Sequence, residues 1–378
     1  MRSHAVRFLS EFDSIMAKLL KDQFDRIYLN RLADELVKYQ SNFPKQRMLK
    51  FVFDQDWDQK ELKHRMRHIT LALHEFLPQK YEVAIKILKN AAPQFGGFEA
   101  MFFPDFVEVY GIKEWDLSIS ALEHFTKYSS SEFAVRPFII KDPKRMMRQM
   151  RDWASSRNEH VRRLASEGSR PRLPWAMALP EFKKDPSPVL PVLKILKADP
   201  SEYVRRSVAN HLNDISKDHP ELVINLAKQW ITESSETQWV VKHGCRTLLK
   251  SGNSDALELF GFHEPNEISV KQLQVSPSLV AWSGDVKFEF ELVSQSPELG
   301  QIRVEYAIDF VRKNGRVSRK VFKISEGTYS MVSKVYRCQH SFKPITTRKY
   351  YPGIHRLALI VNGVELAAGQ FELLSTKT

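Results

Sequence analysis

The sequence predicts an α-helical repeat domain followed by a β-sandwich. Over residues 1–264, apolar residues recur at intervals of three and four, as in "YEVAIKILKNA" and "LVINLAKQWI", which is the period of an amphipathic helix. Over residues 265–378 they alternate with polar residues, as in "DVKFEFELV", which is the period of a half-buried strand. A chain of 378 residues is long enough for about two or three domains, so we assign one domain to each range.

Four segments of the first domain begin in the same way, which predicts a structural repeat. The segments "SEFAVR", "NEHVRR", "SEYVRR" and "TQWVVK" start at Ser131, Asn158, Ser201 and Thr237. Each first residue has a side-chain oxygen that can cap a helix by accepting a bond from a free backbone N–H. The starts are separated by 27, 43 and 36 residues, an irregular spacing typical of HEAT-like paired helices, which stack into an α-solenoid.

Basic residues near these helix starts would form a row on the stacked helices. The net charge of +12 and the pI of about 9.5 favour a polyanionic partner, nucleic acid more than an anionic membrane surface. Helix N-termini also favour phosphate, so we predict that this row follows a nucleic-acid backbone. The alternative is that these residues are solvated groups on an ordinary repeat scaffold. The predicted phosphate contacts of the helical domain are Arg136, Arg163, Arg170, Arg172, Arg206, Lys242 and Arg246.

Short alternating runs separated by turns predict that the second domain is an immunoglobulin-like β-sandwich. The apolar residues of "DVKFEFELV" and "QIRVEYAIDF" occupy every second position, so that they share one face of a strand. Asn314-Gly315 and Asn362-Gly363 are predicted turns, because both residue types tolerate the positive φ of a tight hairpin. About seven short strands in such a range are typical of an immunoglobulin-like sandwich.

One loop of the second domain, "HSFKPITTRKYYPGIH", combines basic and aromatic residues. This combination suits contact with a nucleic-acid backbone or groove, and we predict DNA contacts from Lys343, Arg348, Lys349 and Tyr350. The alternative is a long polar loop whose tyrosines cover the core. "VRKNGRVSRK" is also basic, but we interpret it as a solvated hairpin.

Three carboxylates and one indole are predicted to lie within the basic surface of the helical domain. Glu167 ends a helical segment, Trp175 follows in the proline-containing loop "GSRPRLPWA", and Glu132 and Asp214 occupy the neighbouring repeats. An indole face attracts a cation by roughly 0.5–2 kcal/mol, and a carboxylate stabilises a positively charged sugar-like transition state. The cluster suits a substrate that carries positive charge, such as an alkylated DNA base. The alternative is that Glu167 forms an ordinary surface pair with Arg163.

Long motifs cover most of the helical domain, namely "SSEFAVRPFI", "NEHVRRLASEGSRPRLPWA", "SEYVRRSVANHLNDISKDHP", "VKHGCRTLL" and "MFFPDFVEVYG". They resemble the AlkC branch of the AlkC/AlkD HEAT-like-repeat DNA alkylation-repair glycosylases. The second domain is similar, in architecture more than in motif, to the immunoglobulin-like domain appended in some AlkC-like proteins.

This resemblance implies a monofunctional DNA glycosylase of base excision repair. It would hydrolyse the N-glycosidic bond of cationic alkylated bases in double-stranded DNA, chiefly 3-methyladenine and, in the AlkC branch, 3-methylcytosine. The resemblance also implies that no metal or organic cofactor is needed and that the lesion is reached without a deep base-flipping pocket. Glu132, Glu167 and Trp175 are carried over as the catalytic cluster, with Asp214 as a helper. Arg163 would orient Glu167 or hold a flanking phosphate.

The remaining features concern the environment of the protein and its competing functions. The two cysteines, Cys245 and Cys338, favour a reducing cytoplasm over a disulfide framework, and no stretch approaches the ~18 apolar residues of a membrane span. His243 and Cys245 lack further ligands at zinc spacing, so we predict no metal site. Nothing in the sequence requires more than a monomer. The competing functions are a non-catalytic scaffold that binds protein and a structure-specific DNA binder without chemistry.

Overall fold

The computed structural model describes residues 20–345 and 348–375. Its α-helices, in chain order, are α1 (Arg26–Tyr39), α2 (Lys45–Val52), α3 (Leu62–Phe76), α4 (Tyr81–Ala91), α5 (Phe102–Tyr110), α6 (Trp115–Phe125), α7 (Arg136–Lys141), α8 (Pro143–Ala154), α9 (Glu159–Glu167), α10 (Pro180–Lys184), α11 (Leu190–Leu196), α12 (Glu202–Ile215), α13 (Pro220–Trp230), α14 (Ser235–Gly244), α15 (Arg246–Lys250) and α16 (Ser254–Leu259). Its strands are β1 (Ile268–Ser276), β2 (Leu279–Val280), β3 (Asp285–Ser294), β4 (Gly300–Val311), β5 (Val317–Tyr329), β6 (Ser333–Ser341), β7 (Gly353–Val361) and β8 (Val364–Leu373). None of the described helices combines the length and the apolar character needed to cross a membrane.

The described residues form two compact units. One contains residues 20–219 and 229–244, and the other contains residues 220–228 and 245–375. The last two helices, α15 and α16, therefore belong to the same unit as the strands. We retain residues 1–264 and 265–378 as the proposed domains, because the change from helical to strand periodicity occurs there.

Helices of the first unit pack side by side as successive repeats. α9 packs on α12, α12 packs on α14, and α8 packs on both α9 and α11. Their buried faces carry apolar residues at three- and four-residue intervals, such as Val161 and Leu164 of α9 and Val204 and Val208 of α12. Burial of each apolar face against the next repeat stabilises the stack. The predicted HEAT-like α-solenoid is confirmed.

Two of the four predicted helix starts directly precede a helix. Asn158 caps α9, since its Oδ1 accepts bonds from the N–H groups of His160 and Val161 at 2.9 and 3.4 Å. Ser201 precedes α12, but its hydroxyl donates to Glu159 and does not cap the helix. The Asn158 side chain thus accepts from free backbone N–H groups at the start of its own helix, whereas the Ser201 side chain connects α12 to α9.

The other two predicted starts are wrong in position. Residues 132–135 form a turn, and α7 begins at Arg136, five residues after Ser131. Pro137 favours this later start. Backbone N–H groups in the first turn of a helix have no partner within the helix, and proline has no N–H to leave unpaired. At the fourth predicted start, Thr237 already lies in the first turn of α14.

The strands form two sheets with the orders β1-β3-β6 and β2-β8-β7-β4-β5. Neighbouring strands are antiparallel except for the short β2, which pairs parallel to β8. Alternate residues of β3 and β4, among them Phe288, Phe290, Val304 and Ile308, are buried in one apolar core. This arrangement confirms the predicted immunoglobulin-like sandwich, with eight strands where the sequence predicted about seven.

The two predicted turns join neighbouring strands. Asn362 and Gly363 have φ values of 45° and 81° between β7 and β8, which confirms a tight hairpin turn. Between β4 and β5, Gly315 has a φ of 73°, and its N–H donates to the carbonyl of Arg312 at 2.9 Å. The second connection is therefore a longer loop in which glycine provides the left-handed residue.

Strand β4 differs from its predicted pattern because both of its faces are buried. Alternation would place Arg303 and Glu305 in solvent, yet both side chains are buried. Arg303 donates to Glu305 and to Glu326 of β5 at 2.6 Å each. Pairing within the sheet satisfies these charges, because an unpaired buried charge would carry a large desolvation cost.

Candidate active site

The predicted site residues lie in the helical unit on α9, α12 and two connecting segments. Glu167 is the last residue of α9, and Asp214 lies near the end of α12. Glu132 belongs to the turn before α7, and Trp175 belongs to the loop between α9 and α10. The packing of α9 on α12 therefore brings carboxylates from different repeats to one place.

Glu167 is buried, and both of its carboxylate oxygens are engaged. Its Oε1 accepts from Arg170 Nη1 at 2.7 Å and lies 3.5 Å from Arg163 Nη2. Its Oε2 accepts from the hydroxyl of Ser207 on α12 at 2.5 Å. The Glu167 carboxylate is held in one orientation by groups from its own helix, the following loop and the next repeat.

Arg163 links Glu132 to Glu167. Its Nη1 forms a short ion pair with Glu132 Oε2, which also accepts from the hydroxyl of Ser130 at 2.7 Å. The guanidinium carbon lies 5.0 Å from the ring centroid of Tyr203. Burial opposes the charged form of Arg163, but Glu132 and Glu167 outweigh it and raise the pKa of Arg163. This half-buried arginine stays charged between two carboxylates.

Arg170 links Glu167 to Asp214 in the same manner. Its Nε donates to Asp214 Oδ2 at 2.9 Å, and Lys217 Nζ lies 3.3 Å from Asp214 Oδ1. Burial opposes the charge of Arg170, but the two carboxylates prevail and raise the pKa of Arg170. Together these contacts form a carboxylate network of five residues, in which three carboxylates share two guanidinium groups. The members of the network, in order of contact, are Glu132, Arg163, Glu167, Arg170 and Asp214.

Trp175 presents its indole to the surface from a constrained backbone. Its φ of 63° lies in the left-handed region, which is uncommon for a non-glycine residue, and the residue is 62% exposed. The indole meets Phe98 edge to face, with ring centroids 6.1 Å apart. Lys63 Nζ donates to the Trp175 carbonyl at 2.8 Å and lies 4.9 Å from the ring centroid of Phe133. Because Phe133 follows Glu132 in the turn, the loop and the turn meet at Lys63.

The prediction that Arg136 contacts phosphate is wrong in this structure. Arg136 is fully buried and donates to the backbone carbonyls of Met177, Gly168 and Arg170 at 2.6, 3.0 and 2.9 Å. Burial, with Arg170 acting in the same direction, lowers the pKa of Arg136 to about 10. Arg136 therefore holds the loop that carries Trp175. Its position explains why a basic residue occurs at this helix start without being available to a ligand.

Two further predicted phosphate contacts, Arg170 and Arg163, have guanidinium groups that are engaged by carboxylates. Arg170 is buried, and its guanidinium is occupied by Glu167 and Asp214. Arg163 is half-buried and directed toward Glu132 and Glu167, which leaves little of its surface for a phosphate. Its role in orienting Glu167 stays a prediction.

The remaining predicted basic residues of the helical domain are at least partly accessible. Arg172 pairs with Asp218 at 2.6 Å, and the exposed Arg206 pairs with Glu202 at 2.5 Å. Lys242 is exposed and Arg246 is half-buried. These four residues remain candidate phosphate contacts.

The predicted contacts of the second domain divide in the same way. Lys343 and Lys349 are exposed, and Arg348 is half-buried with its guanidinium carbon 4.5 Å from the ring centroid of Phe310. Tyr350 is buried in the sandwich core, so its prediction as a DNA contact is wrong. The tyrosine covers the core, which is the alternative that the sequence left open.

Sequence reasoning missed Lys63 and Ser207. Lys63 is an exposed lysine of α3, 112 residues from Trp175, and no local pattern marks it. Ser207 lies 40 residues from Glu167, within "SEYVRRSVAN", a motif already noted for its similarity. Among the residues that the structure describes, no group of three or more His, Cys, Asp and Glu side chains is arranged to hold a metal ion.

Two family models match the chain. Residues 83–249 match the DNA alkylation repair enzyme family, and residues 269–375 match the C-terminal Ig-like domain of the uncharacterised protein YhaZ. The first match includes every member of the carboxylate network and Trp175.

Individual proteins match over nearly the whole chain. The chain is 46% identical to YhaZ of Bacillus subtilis (strain 168) over 345 residues, which are 91% of this chain and 96% of that protein. Among solved structures, it is similar to the Pseudomonas fluorescens alkylpurine DNA glycosylase AlkC bound to DNA containing an abasic site analog. That similarity has a TM-score of 0.90 and 38% identity, and covers 94% of this chain and 99% of that chain. The chain therefore belongs to the AlkC branch of the DNA alkylation repair enzymes.

Proposed function

We propose that the protein is a monofunctional DNA glycosylase. It hydrolyses the N-glycosidic bond of cationic alkylated bases in double-stranded DNA, namely 3-methyladenine and 3-methylcytosine. The observation that carries this proposal is the carboxylate network, which lies in the same unit as the exposed indole of Trp175. Lys63 bonds the Trp175 carbonyl and lies over the ring of Phe133, the residue after Glu132. A protein-binding scaffold has no need for such a cluster in a chain with a net charge of +12.

The network supports a substrate with positive charge. The three carboxylates meet Arg163, Arg170 and Lys217, and the most exposed of them, Glu132, shares Arg163 with Glu167. Such a surface stabilises a cationic base and the oxocarbenium-like sugar that forms as the base departs. Metal-free hydrolysis is feasible here, because a base that is already positive needs no acid to protonate it.

The exposure of the three carboxylates distinguishes their roles. The side chain of Glu132 is 15% exposed, against 7% for Glu167 and 3% for Asp214. We assign contact with the reacting sugar and its attacking water to Glu132. Glu167 and Asp214 keep the two arginines charged and oriented, and add negative potential beneath the site.

Trp175 provides the second recognition element. A cation over an indole face gains roughly 0.5–2 kcal/mol, and the exposed loop position suits a base that stays close to the DNA surface. We therefore propose recognition without a deep base-flipping pocket.

The reaction breaks the C1′–N bond, and the bonding electron pair leaves with the base. The base thereby loses its positive charge and departs as a neutral methylated base. Water then adds to C1′ and releases one proton to a carboxylate, which leaves an abasic site in the DNA. Glu132 is the group that we expect to accept this proton.

DNA binding is the contribution of the accessible basic residues. The relative AlkC of Pseudomonas fluorescens has been solved with DNA containing an abasic site analog, which supports duplex DNA as the partner. We propose that the enzyme acts as a monomer on this duplex. The proposed phosphate contacts are Arg172, Arg206, Lys242, Arg246, Lys343, Arg348 and Lys349.

Release of methylated base from alkylated duplex DNA tests the proposal. We expect wild type to release 3-methyladenine, and Glu132→Gln and Trp175→Ala to be slower by about 100-fold and 10-fold in single-turnover rate. Asp116→Asn is the control, because Asp116 is a 90% exposed carboxylate that pairs with Arg145 and is not a member of the carboxylate network. Its rate should equal that of wild type.

Two outcomes would contradict different parts of the proposal. If wild type binds alkylated duplex and releases no base, the protein is a DNA binder without chemistry. If Glu132→Gln and Glu167→Gln both release base at the wild-type rate and fold normally, the enzyme exists but its active site lies elsewhere.

A further inference from the structure

The indole of Trp175 depends on its backbone for a defined position. The residue is 62% exposed and touches Phe98 only edge to face, so side-chain packing constrains it weakly. Its φ of 63° is a conformation that a non-glycine residue keeps only when its surroundings hold it there. The groups that bind this segment of backbone therefore decide where the indole lies.

Lys63 of α3 binds the backbone of Trp175 directly. Its ammonium donates to the Trp175 carbonyl at 2.8 Å, a charge-assisted bond across 112 residues of sequence. The same ammonium lies 4.9 Å from the ring centroid of Phe133, the residue after Glu132. The Lys63 side chain thus connects the loop that carries Trp175 to the turn that carries Glu132, the most exposed carboxylate of the network.

We propose that Lys63 is a positioning residue that fixes the Trp175 indole relative to Glu132. A cationic base must meet the indole face and the carboxylate at once, and a small displacement of either one lowers the rate. Lys63 acts through the Trp175 carbonyl and does not touch the substrate. This inference rests on the proposed function, since it explains how the indole contributes to excision.

An exposed lysine beside a DNA-binding site has an obvious competing role as a phosphate contact. The two roles predict different measurements. Loss of a phosphate contact weakens binding and lowers the salt dependence of the affinity by about one unit of logarithmic slope. Loss of a positioning residue lowers the rate at saturating enzyme and leaves that slope unchanged.

Single-turnover excision of 3-methyladenine by Lys63→Met tests the inference. We expect the saturated rate to fall about tenfold, with the salt slope of duplex binding unchanged. Lys63→Arg should retain most of the rate, because a guanidinium also donates to the carbonyl. Lys141→Met is the matched control, since Lys141 also donates to a backbone carbonyl, that of Ile112, at 2.6 Å. Its rate should equal that of wild type.

The double variant Lys63→Met with Trp175→Ala separates positioning from a general loss of stability. If Lys63 acts through the indole, adding Lys63→Met to Trp175→Ala causes no further loss of rate. Multiplied losses in the double variant would overturn the inference. An unchanged rate for Lys63→Met, or a lower salt slope with an unchanged saturated rate, would overturn it as well.

A spectroscopic measurement keeps this test separate from the proposed function. The chain has seven tryptophans, and the ¹⁹F NMR line of 5-fluorotryptophan at position 175 is assigned by its loss in Trp175→Phe. We expect Lys63→Met to shift this line and Lys63→Arg to leave it near its wild-type position. Absence of base release by wild type would defeat the proposed function, whereas an unmoved line in Lys63→Met would defeat the role of Lys63.

Discussion

His211 of α12 is a buried histidine whose surroundings disfavour its protonated form. The imidazole is fully buried, and its Nδ1 lies 3.1 Å from the carbonyl oxygen of Ser166. Within the described residues, its Nε2 has no hydrogen-bond partner. Burial lowers the pKa of His211 to about 3, and the charges of Arg170 and Arg136 act in the same direction. A proton on this ring would place a third cation beside two buried guanidinium groups.

This low pKa couples folding to pH. An unfolded histidine has a pKa of about 6.5. Between pH 6.5 and about 3, the unfolded chain therefore binds a proton at His211 that the folded chain does not bind. The stability contributed by neutral His211 is present above pH 6.5 and is lost as the pH falls, by up to about 1.4 kcal/mol per pH unit. We expect His211→Gln to lower the number of protons taken up on unfolding at acidic pH by about one. The free energy of unfolding, measured by urea denaturation at several acidic pH values, gives this number from its slope against pH.

The sandwich offers a parallel case. Burial lowers the pKa of His340 to about 4, and His340→Gln should flatten the pH dependence of unfolding of the second unit instead. The prediction for His211 is contradicted if His211→Gln leaves the acid sensitivity of the helical unit unchanged.

At the scale of elements, the end of α9 must approach the turn before α7 closely. Glu167 ends α9, Glu132 lies in the turn, and Gly168 separates α9 from the loop. A Cβ on Gly168 would lie 2.5 Å from Cγ2 of Val135 and 3.0 Å from the carbonyl oxygen of Leu164. Gly168 has an ordinary helical φ of −64°, so close approach and not backbone conformation requires glycine here.

We expect Gly168→Ala to separate the two segments that carry Glu132 and Glu167. The clash should lower the free energy of unfolding by about 1–3 kcal/mol. Excision should fall further than stability explains, because Arg163 can no longer reach both carboxylates. Rates are compared at a temperature where the variant is folded by circular dichroism.

Gly327→Ala is the control for this substitution. A Cβ at Gly327 would meet no atom closer than 3.9 Å, so rate and stability should change little. Wild-type excision by a destabilised but folded Gly168→Ala would show that the spacing of the two segments does not matter.

For the whole molecule, burial divides the positive charge into two classes. The guanidinium groups of Arg136, Arg163 and Arg170 bind carbonyls and carboxylates of the protein itself. Exposed residues such as Arg206 and Lys349 carry the charge that can attract a polyanion. The net charge of +12 therefore overstates how many basic groups can contact DNA.

The salt dependence of duplex binding reports on the exposed basic residues. We expect Arg206→Met and Lys349→Met each to lower the slope of log affinity against log salt by about 0.9, because each released phosphate recovers its counterion. Fluorescence anisotropy with an undamaged duplex over a range of salt concentrations measures this slope. Lys80→Met, an exposed lysine paired with Glu82 outside the predicted row, is the control and should keep the wild-type slope. Wild-type slopes for both Arg206→Met and Lys349→Met would show that neither residue contacts phosphate.

The sequence by itself determined the two fold classes and the family, and it led to the carboxylates that we propose for the site. Hydrophobic periodicity and the Asn362-Gly363 turn are local properties, so they can be read without knowing what lies across the core. The motifs containing Glu132 and Glu167 are specific enough to identify the branch of the family.

Only the tertiary structure decided which charges face one another. Arg170 and Asp214 are 44 residues apart, and Lys63 and Trp175 are 112 residues apart, so no local pattern records either contact. Burial likewise turned Arg136 from a surface cation into a group that binds the backbone of the Trp175 loop. A basic residue near a helix start fits either role, because its availability depends on the neighbours that folding brings to it.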